Sequence, residues 1–157
     1  MTFPVLPDDQ RLDPYTVSSE YVQGAIEGYL SAQPSYRCVR LWHLDALAKR
    51  LGDGADTVIE DLLADGTLLR LDSTMMPTVF SLRNGVGYIT VRALQDLAAD
   101  WRLDAHLRDE VAAHLRDEVA AHLRDSGHPV TPTSGRTGDA VTGFRDGHLL
   151  GSPRKHR

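Results

Sequence analysis

Two short apolar stripes, separated by a corner rich in glycine, constrain this chain more than any other feature. From His43 to Leu51, the residues Leu44, Leu47, Ala48 and Leu51 recur at three- and four-residue spacing. They therefore share one face of a helix, which Gly52 stops through a positive φ. After Asp53-Gly54-Ala55 a second helix is expected from Asp56 or Thr57, with Thr57 and Glu60 spaced as a capping box. It would bury Val58, Ile59, Leu62 and Leu63 before Asp65-Gly66 ends it. Upstream, Tyr36 to Trp42 has the β-branched and aromatic bias of a half-buried strand. Downstream, Thr67 to Leu71 and Thr78 to Leu82 read as paired strands joined by Asp72 to Pro77. A further helix begins near Val17 or Ser18, with Thr16 or Ser18 as its N-cap. It carries Tyr21, Val22, Ala25, Ile26, Tyr29 and Leu30 on one face until Gln33-Pro34-Ser35, and both tyrosines read as core.

In its order of elements this stretch resembles the winged helix-turn-helix DNA-binding family over residues 17–83. The resemblance rests on Leu47-Ala48-Lys49-Arg50-Leu51-Gly52 in the first helix, Val58 and Leu62-Leu63 in the second, and Asp65-Gly66-Thr67-Leu68-Leu69 entering the wing. It implies a second helix lying in the major groove, with the wing on phosphate or minor groove. Carried onto this chain, the reading positions are Asp56, Thr57, Glu60 and Asp61. The expected DNA contacts are Thr57, Glu60 and Asp61 near bases, with Lys49, Arg50 and Arg70 on phosphates. The implied function is a small DNA-binding regulator of transcription, or a plasmid or phage accessory factor.

Charge raises a second expectation. The net charge is −5, and nucleic-acid binders usually carry a basic patch. Asp53, Asp56, Glu60, Asp61 and Asp65 crowd the second helix and its flanks, where carboxylates facing a phosphate lattice are repelled. The alternative is a protein–protein interaction module that docks a basic partner on this acidic helix and binds no DNA. Arg37, Arg40, Lys49, Arg50, Arg70 and Arg83 gather in or beside the same stretch, so one face can still be positive.

The fold class expected is mainly α with a small antiparallel β-sheet. An irregular lead-in (1–15) precedes the winged-helix domain (16–90). One long helix (91–125), capped by Thr90 and striped by Val91, Leu94, Leu97, Ala98 and Trp101, comes before a disordered tail (126–157). Within the long helix, Ala105 to Ala112 is copied without change at Ala113 to Ala120 and begun again at Ala121. Leu107, Val111, Leu115, Val119 and Leu123 lie four apart, so each is displaced by about 40° around the axis from the last. That drift does not specify a left-handed coiled coil, although self-association through this helix remains an expectation. In the tail Arg136, Arg145, Arg154, Lys155 and Arg157 outnumber Asp139 and Asp146.

No stretch is apolar enough to span a bilayer, and Met1 to Pro7 lacks a signal-peptide pattern, so a cytoplasmic protein is expected. Cys38, the single cysteine, reads as a small buried hydrophobe. His106, His114 and His122 repeat every eight residues, about 12 Å apart along a helix, too far to share an ion. Neither a phosphate-cradling glycine loop nor a nucleophile elbow is present, so no enzyme, metal or cofactor is expected.

Overall fold

A computed structural model describes residues 17–33, 38–75, 85–99 and 109–152. Among them, six helices and three strands follow the order α1 (Ser19–Ala32), β1 (Val39–Arg40), α2 (Leu41–Leu51), α3 (Ala55–Ala64), β2 (Leu68–Asp72), β3 (Val86–Thr90), α4 (Val91–Ala99), α5 (Asp109–Asp125) and α6 (Asp139–Gly151). This is an α+β fold, mostly helical with one small antiparallel sheet, as the sequence pattern predicts.

Helix α1 starts where a cap is available: Ser18 Oγ accepts from the Tyr21 amide at 3.1 Å. Its face of Val22, Ala25 and Ile26 is completely buried. Leu44, Leu47, Ala48 and Leu51 of α2 and Val58, Ile59 and Leu62 of α3 join the same core, as their spacing requires. Between these helices Gly52 has φ 127° and Gly54 has φ 88°, values an L side chain resists, so the corner depends on glycine. Gly54 is also the N-cap of α3. The helix thus begins at Ala55, and the Thr57–Glu60 capping box is not what starts it. The expected strand from Tyr36 to Trp42 shortens to Val39–Arg40, because Leu41 and Trp42 already belong to α2; residues 34–37 lie outside the described residues.

The sheet has the order β1-β3-β2, antiparallel throughout. Strand β2 pairs with Val86–Thr90, from Leu68 opposite Thr90 to Asp72 opposite Val86. Thr78 to Leu82, the partner expected from the sequence, falls within residues 76–84, which lie outside the described residues. Burial selects the partner: Tyr88, Ile89 and Thr90 are sealed in the core beside Leu68 and Leu71. Asp65 and Asp72 bracket β2 with turns, each carboxylate accepting from the amide two residues on, at 2.9 Å in both cases.

Beyond β3, Thr90 Oγ1 accepts from the Ala93 amide at 3.0 Å and caps α4 as expected. The anticipated single helix over 91–125 is instead two helices packed on one another, α4 and α5. Residues 100–108, including Trp101 and the opening of the repeat, lie outside the described residues, as does the lead-in 1–15. In α5 the four-residue stripe of Leu115, Val119 and Leu123 is buried inside this chain, so it is not free to form a seam with a second copy. After α5, Gln95 Nε2 donates to the Pro129 carbonyl at 2.9 Å, fixing the returning chain against α4.

The largest departure from expectation is α6. Residues 139–151 of the expected disordered tail form a helix packed along α1. Position rises together along both helices, so they run parallel. A Cβ on Gly24 would press on the Ala140 carbonyl, one on Gly28 on that of Phe144, and one on Gly147 on that of Ala25. Gly24 and Gly28 on one side, with Gly143, Gly147 and Gly151 on the other, bring the two backbones into direct contact, as small residues four apart do wherever helices approach most closely. Polar pairs border this seam: Ser18 Oγ donates to Asp139 Oδ2 at 2.8 Å and Tyr21 Oη to Asp146 Oδ2 at 2.7 Å. Further along, Gln33 Nε2 donates to the Gly151 carbonyl at 2.8 Å.

Arg136, in the connection before α6, ties the C-terminal segment to the core. It forms an ion pair with Glu27 at 2.9 Å and with Asp96 at 3.0 Å, and lies 4.3 Å from the centre of the Phe144 ring. Glu27 is 4% exposed, and its other oxygen accepts from Thr90 Oγ1 at 2.6 Å and Gln23 Nε2 at 3.1 Å. Replacing Arg136 by Ala strands a buried carboxylate and is expected to cost about 3 kcal/mol in urea denaturation. Gly147→Ala is expected to destabilise by about 1–3 kcal/mol through forced helix separation, whereas Ala at the exposed Thr142 changes stability by less than about 0.5 kcal/mol.

Candidate functional site: the two faces of α2

Helix α2 turns about 100° per residue, and its exposed arc is divided between two surfaces of opposite character. On one side, Leu41, Asp45 and Lys49 face Asp56, Ile59, Glu60 and Leu63 of α3 across a groove of ≈ 520 Å³, with Leu44 and Tyr88 also lining it. The floor is apolar. Its rim holds three carboxylates, from Asp45, Asp56 and Glu60, against one ammonium, from Lys49. All four rim residues are exposed, and so is Leu41 at 53%.

On the other side, His43, Ala46, Leu47 and Arg50 face Tyr29 of α1 and Leu150 of α6. Trp42, 68% exposed, lines an adjoining hollow with Tyr29 and His43 at the start of the helix. Its ring lies 3.7 Å from that of His43.

The six residues expected to contact DNA are all exposed, yet they do not form one surface. Lys49 and Glu60 meet across the α2–α3 groove, while Arg50 belongs to the opposite face of α2. Thr57 and Asp61, one turn apart on α3, do not line the groove. Arg70 lies on β2. Sequence spacing missed the roles of Leu41, Asp45 and Leu63 as groove walls. The available signal was Leu41-x-x-x-Asp45-x-x-x-Lys49, a second stripe displaced from the buried one.

Three titrating groups in or near these elements are displaced. Burial pushes the Cys38 thiol up to about 11, opposed by the nearby positive charge of Arg40. Burial also raises the Tyr21 phenol to about 12, helped by its hydrogen bond to Asp146 and by that carboxylate's charge. Asp65 is held below the ordinary carboxylate range by hydrogen bonds from the Thr67 side chain and amide. A raised thiol stabilises the folded chain fully below about pH 9, where the unfolded thiol ionises, and that contribution is lost as pH rises through about 11. Stability measured by denaturant should therefore fall over this alkaline range, and Cys38→Ala should flatten the fall.

Among the described residues, no group of three His, Cys, Asp or Glu side chains is placed to hold a metal ion, and no helix is long and apolar enough to cross a membrane. Comparison with protein-family models, with curated proteins and with solved structures finds no match.

Proposed function

We propose that this protein is a protein-interaction module of winged-helix type whose α2–α3 groove receives an amphipathic, basic helical segment of a partner. The carrying observation is the pairing of an apolar floor with three rim carboxylates in one groove. A helix laid in such a groove buries its apolar face and sets Lys or Arg side chains against Asp45, Asp56 and Glu60. Rim charges of this kind act mainly by steering encounter and by rejecting partners of the wrong sign.

A second reading is DNA binding, by a transcriptional regulator or a plasmid or phage accessory factor. One observation favours it: a strand, two helices and an antiparallel strand pair follow α1, which is compatible with the order of elements on which the resemblance rests. Lys49, Arg50 and Arg70 are exposed and supply cations. Against it, Asp56, Glu60 and Asp61 line the outer surface of the helix that would enter the groove of DNA, where phosphates repel them.

Fluorescence anisotropy at low salt separates the two. A labelled amphipathic peptide of Leu and Lys is expected to bind. Asp56→Lys with Glu60→Lys should weaken it at least about tenfold, or 1.4 kcal/mol. Binding of duplex DNA in place of the peptide, weakened by Arg50→Ala with Arg70→Ala, would decide for the second reading.

A further inference from the structure

The face of α2 turned away from the acidic groove has the opposite chemistry. Two hollows of ≈ 170 Å³ and ≈ 160 Å³ lie there, and Tyr29 and His43 line both, so they adjoin one another. Among the described residues their walls hold Arg40, Arg50 and the imidazole of His43, and none of these lining residues is Asp or Glu. In a chain of net charge −5, whose neighbouring groove carries three carboxylates, this is a local reversal of sign.

The same walls are aromatic. Trp42 keeps 68% of its surface in solvent, although an apolar side chain of that size ordinarily gains by burial. The Trp42 and His43 rings lie 3.7 Å apart and 36° from coplanar, and Tyr29 lines both hollows. Exposed π-faces beside guanidinium groups are what a nucleobase and its phosphate require: the base stacks, and the phosphate takes charge-assisted hydrogen bonds from arginine.

We propose that the adjoining hollows lined by Tyr29, Trp42, His43 and Arg50 bind a nucleotide unit, the base on Trp42 and the phosphate at Arg50. The source is either a free mononucleotide or one unit of a single strand. This site is separate from the α2–α3 groove, so peptide binding there can fail without touching it.

Trp42 is itself the reporter once the chain's other tryptophan is replaced by Trp101→Phe. Titrating that variant at low salt with adenosine monophosphate and with a short oligothymidylate should give saturable quenching with at least one probe. Should Trp101→Phe lose its helical circular dichroism, calorimetry on the parent protein gives the same readout. Saturation by the mononucleotide assigns a free nucleotide, and saturation by the oligomer alone assigns a strand. By calorimetry Trp42→Ala is expected to weaken binding about tenfold, the scale of one lost base stack. Arg50→Gln should weaken it similarly and flatten its salt dependence. No saturable binding of either probe overturns the proposal, and so does binding that both substitutions leave unchanged.

Discussion

The buried carboxylate of Glu27 is the point on which the described elements converge. One oxygen takes the Arg136 guanidinium, and the other takes Gln23 and Thr90. Thr90 is also the cap of α4, so the residue that satisfies Glu27 decides where β3 ends and α4 begins. Arg136 reaches Asp96 on α4 and Phe144 on α6 as well. A carboxylate this deep is tolerable only when fully hydrogen-bonded, and meeting that demand recruits α1, β3, α4 and the approach to α6 at once.

With that network on one side, α2 and α3 have their outer surfaces free for recognition. The buried arc of α2 is narrow, since Leu44, Leu47, Ala48 and Leu51 suffice to seat it. The remaining arc is wide enough for two different walls. Neither wall comes from α2 alone: α3 supplies two of the three carboxylates of one, and α1 with α6 supplies Tyr29 and Leu150 of the other. The charge asymmetry is a product of tertiary packing, which composition averages into a single mildly acidic figure.

Features decided within a few residues were legible in the sequence. Ser18 and Thr90 cap their helices, the apolar stripes of α1, α2 and α3 reach the core, and Gly52 takes a positive φ. Features decided by a distant partner were not. The pairing of Val86 to Thr90 with β2 rests on burial of Tyr88, Ile89 and Thr90 beside Leu68 and Leu71, which strand composition alone does not reveal. Helix α6 was hidden because glycine every fourth residue lowers helix propensity, while its value lies in letting another backbone come close. The six candidate DNA contacts are all exposed, but the rotation of α2 that separates Arg50 from Lys49 matters only once α3 and α6 are in place.

The seam between α1 and α6 bears on the order of assembly. Ser18 and Asp139 touch across 121 residues of chain, so the first described helix meets its closest neighbour only after every other described element has been made. During synthesis the Gly24–Gly28 face of α1 must wait beside a growing chain, its amides and carbonyls already paired within the helix but its surface uncovered. Pairings at such long range are slow to form. Closure of this seam therefore follows the synthesis of every other described element, and until then the glycine strip of α1 has no covering helix.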